Sequence, residues 1–230
     1  MLMSKLQENP KMSEFEIGGI SIGRSHRPFI IAEMSGNHNQ SLDNALKIVK
    51  AASQCGAHAI KLQTYTPDTM TLNLKKNEFM IKDKKSLWAG ETLYSLYKKA
   101  STPWSWHTKI FKFAKKNNIL CFSSPFDETS VDFLESINAP CYKIASSECV
   151  DLPLIKRVAK TKKPIIISTG MASKEEISEA LEIARSYGTK NIALLKCTST
   201  YPAPVDDINL KTISHMRSTF GCEVGLSDHS

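Results

Sequence analysis

The chain has 230 residues, 41% of them hydrophobic and 23% charged, an ordinary globular composition that supports a sizeable core without disulfide or metal staples. Its formal net charge of +7 comes largely from lysines in mixed clusters at 75–76, 82–85 and 109–116, which read as solvated helix faces, and no nucleic-acid-binding motif accompanies them. No apolar run approaches the about 18 residues of a membrane span. The opening MLMSKLQENPKMSEFEI lacks the continuous apolar stretch of a secretory signal, so a cytoplasmic protein is expected.

Taken in chain order, residues 1–13 read as a mobile N-terminus. EFEIGGISIG then sets two short apolar runs around Gly18-Gly19, the pattern of a tight two-residue hairpin. PFIIAEMS (28–35) is the first of several short runs that are apolar almost throughout instead of alternating. The others are AIKLQTY (59–65), LCFSSP (120–125), CYKIAS (141–146), PIIISTG (164–170), IALLKCTS (192–199) and EVGLSDH (223–229). Such runs are the mark of strands buried on both faces.

Helical patterns lie between them. SLDNALKIVKAASQCG (41–56) offers Ser41 as N-cap, apolar spacing at 42, 45, 46 and 49, and Gly56 as a stop. TPWSWHTKIFKFAKK (102–116) suggests a Thr102 cap with Pro103 at the first helical position. SKEEISEALEIARSYG (173–188) carries a capping box from Ser173 to Glu176 and ends at Gly188. Strand, helix, strand with short connections predicts a parallel sheet, closed as a (β/α)8 barrel or open and doubly wound. No GxGxxG or GxxxxGK[ST] follows a strand, which weakens the dinucleotide and P-loop versions. The long excursion over 67–102 follows the second strand and is expected to cover the mouth of a barrel as a lid. The six cysteines form no CxxC pair and read as buried reduced thiols.

In a parallel barrel, chemistry sits where the strands end. Here the ends carry Glu33, Lys61 and Gln63, Ser124, Lys143 with Ser146 and Glu148, Ser168, Ser199 with Tyr201, and Ser227 with His229. A lysine flanked by Ile60 and Leu62, or by Tyr142 and Ile144, is partly desolvated and needs an anion. Two such lysines ringed by hydroxyls suit a small phosphate ester that also bears a carboxylate. The bland alternative is an internal Lys–Glu pair with Glu33 or Glu148. A Schiff-base aldolase, which also uses a strand-end lysine, is the chemical rival. His229 is a candidate metal ligand or acid–base group; His38, between two asparagines, is a weaker one.

The motifs IAEMSGNHNQSLDNALKIVKAA, AIKLQTY, FSSPFDETSVDFLE, PCYKIASSECVDLPLIKRVAKTKKPIIISTGMAS, LLKCTSTYPAP and GLSDH, in this order, resemble the N-acetylneuraminate (sialic acid) synthase family from about Phe15 to Ser230. EMSGNHNQ, KLQTYTPDTMT and STPWSWH look most like its pseudaminic acid branch. The resemblance implies a (β/α)8 barrel, a C-terminal antifreeze-like domain, a domain-swapped homodimer, and condensation of phosphoenolpyruvate with an amino-sugar aldehyde. It implies that Lys61, Ser124, Lys143, Ser146, Ser168, Ser199 and Ser227 hold phosphoenolpyruvate. Gln63, Glu148 and Tyr201 would face the sugar, and Glu33 would lie near the reacting centre. His229 would be one of two histidines on a divalent metal, Mn2+ or Mg2+, which orients the aldehyde as a Lewis acid. Sialic acid synthases often have Asn at the position of Ser199 and Thr at that of Ser124; both changes keep a hydrogen-bonding group. The second metal histidine belongs on an eighth strand. The expectation is therefore an incomplete barrel over 14–230 that lacks its last strand and helix and the antifreeze-like domain, and is inactive by itself. A non-catalytic remnant that still binds a ligand is the reading from a different class.

Overall fold

The computed structural model describes residues 14–84, 86 and 88–230. The expected mobile N-terminus at 1–13, and Lys85 of the second lysine cluster, lie outside the described residues. Strands β1 (Phe15–Ile17) and β2 (Ile20–Ile22) pair antiparallel, Phe15 opposite Ile22. Gly18 and Gly19 make the turn at φ +58° and +83°, a left-handed pair that side chains disfavour, as the Gly-Gly signal implied.

Seven parallel strands follow in chain order. They are β3 (Ile31–Glu33), β4 (Ala59–Thr64), β5 (Leu120–Pro125), β6 (Tyr142–Ile144), β7 (Ile165–Ser168), β8 (Ile192–Cys197) and β9 (Glu223–Ser227), each hydrogen-bonded to its sequence neighbour. The connecting helices are α1 (Leu42–Gln54), α2 (Pro67–Met70), α3 (Leu93–Ala100), α4 (Trp104–Lys116), α5 (Glu128–Ser136), α6 (Leu152–Ala159), α7 (Lys174–Ser186) and α8 (Lys211–Phe220). The curled sheet is thus an open barrel. Among the described residues β3 pairs only with β4 and β9 only with β8, and a cleft of about 690 Å3 separates the two edges. The expected gap between 28–35 and 223–229 is present. Most strands are shorter than the apolar runs that announced them, while β5 spans its run, 120–125, in full.

Side chains alternate between two cores. On β4, Ile60 and Leu62 face outward into a cluster with Val49 of α1 and Ile110 of α4, while Ala59 faces inward. The inward cluster joins Ala59 to Phe122, Ile166 and Ala193, and the hairpin residues Phe15 and Ile17 close it from below. A third cluster packs β6–β9 against α5–α8 through residues such as Ile144, Leu154 and Leu181.

Ser41 and the Ser173–Glu176 box cap their helices as read from the sequence. Thr102 does not cap α4: Pro103 occupies the cap position, and the Thr102 hydroxyl lies 3.1 Å from His38 Nε2. Five cysteines are buried, but Cys55, at the end of α1, is exposed. No helix of the described residues is long and apolar enough to cross a membrane.

Candidate active site

The strand ends converge on a cavity of about 390 Å3 on the face opposite the hairpin. Glu33, Lys61, Gln63, Ser124 and Lys143 line it from β3 to β6. Ser146, Tyr201, Ser227 and His229 line it from the turns beyond β6, β8 and β9 and from the end of β9. The period-two alternation explains the selection: Lys61 and Gln63 share the inward face with Ala59, and Ser124 shares it with Phe122.

Lys61 is almost fully buried, with its ammonium 2.8 Å from a Glu33 carboxylate oxygen and donating to Ser124 Oγ at 3.3 Å. The internal Lys–Glu pair weighed at the sequence level therefore exists for Lys61. It does not extend to Lys143, which is 8% exposed and has no ion-pair partner among the described residues. Burial, then the repulsion of Lys61, pushes the Lys143 amine down to about 8. Glu33 is the carboxylate within ion-pair distance of these lysines among the described residues; Glu33 and Glu148 act on the Lys143 charge from farther off, and Asp228 also lines the cavity.

Three predicted residues stand just outside the cavity wall. Ser168 lies two residues beyond inward-facing Ile166, and its fully buried hydroxyl has no partner among the described residues. An orphaned buried hydroxyl on the inner face suits a ligand oxygen. Ser199 comes close to Ser146 across Gly170: a Cβ at Gly170, where φ is +45°, would lie 2.4 Å from Ser146 Cβ and 3.0 Å from Ser199 Oγ. Only glycine lets the backbone pass between these two serines. Glu148, on a short 3-10 turn after β6, accepts from Ser147 Oγ at 2.8 Å, and burial raises its carboxyl.

His229 Nδ1 lies 2.8 Å from the Thr198 carbonyl, which can only accept, so Nδ1 carries the proton and Nε2 keeps its lone pair. Tyr201 stacks on this ring at 4.1 Å between centroids, its hydroxyl 3.2 Å from Nε2. The tautomer is right for a metal ligand. However, no group of three or more His, Cys, Asp or Glu that could hold an ion is gathered among the described residues. The described residues offer one imidazole and do not by themselves fit a resident divalent ion. His38 is no candidate: it is fully buried, with Nδ1 accepting from the Gln40 amide and Nε2 against Thr102.

The sequence reading missed the apolar half of the cavity. Tyr65 and Phe126 continue the inward alternation two residues beyond Gln63 and Ser124, and Met70 and Tyr97 reach in from the 67–102 excursion. Tyr65 meets Tyr97 and Phe126 edge to face at 6.0 and 5.4 Å, and burial pushes its phenol up to about 12. The excursion therefore supplies part of the cavity wall. Of the other aromatic residues in that excursion, Trp88 is exposed and Tyr94 donates to Asp68. Parity alone would have found Tyr65 and Phe126, and Tyr97 lies in the excursion expected over the mouth.

The pattern of the NeuB family matches residues 48–230. The chain is 50% identical over 202 residues to the pseudaminic acid synthase of Campylobacter jejuni, covering 88% of this chain and 58% of that protein. Against the pseudaminic acid synthase of Helicobacter pylori it is 47% identical over 203 residues, 88% of this chain and 59% of that one. The crystal structure of N-acetylneuraminic acid (sialic acid) synthetase from Leptospira borgpetersenii, in complex with citrate, matches with a TM-score of 0.83 at 30% identity over 95% of this chain and 71% of that one. The chain spans less than two thirds of the length of these two pseudaminic acid synthases. Half-identity along nearly nine tenths of its own length, on a shared fold, shows that this chain belongs to the NeuB family.

Proposed function

We propose that this barrel is the phosphoenolpyruvate-binding part of a pseudaminic acid synthase-type enzyme. Phosphoenolpyruvate would condense with 2,4-diacetamido-2,4,6-trideoxy-L-altrose to give a nonulosonic acid and phosphate. The observation that carries the reading is the pair of buried lysines at the cavity, of which only Lys61 has an ion-pair partner among the described residues, together with the orphaned hydroxyl of Ser168. The product branch rests on the likeness to the two pseudaminic acid synthases. N-acetylneuraminate and legionaminic acid are the alternative products.

The chemistry follows from where the charges stand. The C2=C3 π pair of phosphoenolpyruvate attacks the aldehyde carbon, forming the carbon–carbon bond; the C=O π pair moves onto the aldehyde oxygen, which takes up a proton, and positive charge is left at C2. Glu33, at the end of β3, is placed to stabilise that charge. Water then adds to C2, and phosphate leaves with the electrons of the C2–O bond. Lys61, Lys143 and the hydroxyls of Ser124, Ser146, Ser168, Ser199 and Ser227 hold the phosphate and carboxylate as charge builds on them. Gln63, Glu148 and Tyr201 face the sugar. His229 would contribute one imidazole toward a divalent ion, which needs further ligands. The remaining reach of the relatives, a homodimer and a cytoplasmic setting belong to the same proposal.

The depressed amine of Lys143 favours a second reading, since a partly neutral buried lysine is also what a Schiff-base aldolase needs. Two assays separate the readings. Pyruvate with borohydride should leave the mass of the chain unchanged; a trapped adduct on Lys61 or Lys143 would establish the aldolase instead. Aldehyde-dependent release of phosphate from phosphoenolpyruvate should be absent from this chain, whose described residues bring one imidazole to the cavity and leave the barrel open. Turnover by these 230 residues would contradict the incompleteness ascribed to the site.

A further inference from the structure

Behind the cavity, on the opposite face of β4 and β5, lies a chain of buried hydrogen bonds whose last member, Ser123 Oγ, also lies 3.5 Å from the carbonyl of the cavity residue Ser124. His107 of α4, Thr64 of β4 and Ser123 of β5 are all fully buried. His107 Nδ1 is 3.2 Å from the Pro103 carbonyl, His107 Nε2 is 2.8 Å from Thr64 Oγ1, and Thr64 Oγ1 is 2.6 Å from Ser123 Oγ.

The directions of these bonds are fixed by one group. A carbonyl only accepts, so His107 Nδ1 carries the proton and donates to Pro103. Nε2 is then a bare lone pair, and the Thr64 hydroxyl must donate to it. With its proton committed, the Thr64 oxygen accepts from Ser123. Burial keeps His107 neutral, with its imidazole pushed down to about 4, so the order persists across the physiological range. The chain runs one way: Ser123 to Thr64 to His107 to the backbone of the helix start.

Its position gives it a consequence for the cavity. Thr64 and Ser123 are each one residue from an inward-facing partner: Gln63 precedes Thr64, Ser124 follows Ser123, and Gln63 and Ser124 face each other in the β4–β5 register. Lys61 Nζ in turn donates to Ser124 Oγ. A shift of Ser123 relative to Thr64 would therefore move Ser124 against Lys61 and Gln63. Hydrogen bonds between two strands' outward hydroxyls hold this spacing more tightly than apolar contacts, which lack direction. Trp104, on the same helix, adds a bond of 3.3 Å from its indole N–H to the Tyr65 carbonyl, so α4 grips the strand end at two points.

We propose that His107 is a positioning residue for the anion cavity, acting through the hydroxyls of Thr64 and Ser123 on the Lys61–Ser124 pair. The inference rests on the reading of the cavity as a phosphoenolpyruvate site. The probe is phosphoenolpyruvate itself, its affinity measured by titration calorimetry on the full chain and on folded variants checked by circular dichroism. Thr64→Val keeps the β-branched shape and cuts the chain in the middle; it should weaken binding about 3- to 10-fold, the effect of one neutral hydrogen bond. His107→Leu should do the same. His107→Gln supplies an amide to donate to Pro103 and a carbonyl to accept from Thr64, and should recover affinity to within about 2-fold of the parent. In a Ser124→Ala background, Thr64→Val should cost nothing more, because the group it acts on is gone. If Thr64→Val does not fold, Ser123→Ala cuts the same chain from its other end and is read in the same way. Unchanged affinity in Thr64→Val, or losses that add in full in the Ser124→Ala background, overturns the positioning role while leaving the cavity reading intact. Failure of the unaltered chain to bind phosphoenolpyruvate overturns both.

Discussion

Replacing Lys143 by methionine is expected to weaken phosphoenolpyruvate binding about 10- to 100-fold, the loss of a charged hydrogen bond in a dry site, and at the same time to raise thermal stability. Both follow from one fact. Lys143 is nearly buried without a carboxylate partner among the described residues, so its charge is costly until an anion arrives. Its amine falls from 10.5 to about 8 in the folded chain, a difference of roughly 3 kcal/mol against the protonated form. The sign is set by proton binding. Below about pH 8 both folded and unfolded chains hold this proton and the destabilisation is present in full. Between about 8 and 10.5 the unfolded chain holds more, so the stability of the parent rises with pH and the penalty fades. Lys143→Met, which keeps the apolar stem's volume, should therefore melt above the parent at pH 7 and converge with it above pH 10.5. Lys61→Met should differ: Lys61 pairs with Glu33, so its removal strands a carboxylate and lowers affinity without a gain in stability. Melting curves and titrations across pH check both. A Lys143→Met chain that binds as well as the parent means that the cavity is misassigned.

The second large effect concerns the open edge. Among the described residues β3 and β9 each leave one row of backbone N–H and C=O groups without a strand partner, on either side of a cleft lined by apolar residues such as Ile31, Leu195 and Val224. Such edges pair readily with another chain. Amide exchange on a dilute sample should show β6 and β7 exchanging at least about 1000-fold slower than β3 and β9, since central strands open only with the whole sheet. Sedimentation should show association that grows with concentration. Protection of β3 and β9 equal to that of β6 and β7, in a chain that stays monomeric, would mean that the two edges close on each other in solution.

Much of this arrangement is legible in the sequence because parallel strands buried on both faces leave nearly unbroken apolar runs, and AIKLQTY or LCFSSP can hardly be anything else. The same runs carry the site, since the alternation that buries Ala59 turns Lys61 and Gln63 to the cavity. What escapes is set by tertiary packing. Thr102 has the chemistry of a cap, but His38 takes its hydroxyl and Pro103 serves in its place. His107 reads as one polar residue on an amphipathic helix, and only the β4–β5 register gives it Thr64 and Ser123 as neighbours. Tyr97 enters the cavity from a segment whose path no local pattern specifies. A lysine pair with Glu33 is one of the sequence's alternatives, but that Lys61 takes it and leaves Lys143 without an ion pair among the described residues depends on the adjacency of β3 and β4.

The central claim is that two buried lysines, of which only Lys61 is ion-paired among the described residues, form a site for the anion of phosphoenolpyruvate. Titration calorimetry of phosphoenolpyruvate into this chain at pH 8, in buffers of different ionisation enthalpy, tests it most directly. Lys143 is about half protonated there, and a bound anion restores its full charge, so binding should take up about half a proton per site. Absence of binding, or binding with no proton taken up, would contradict the account.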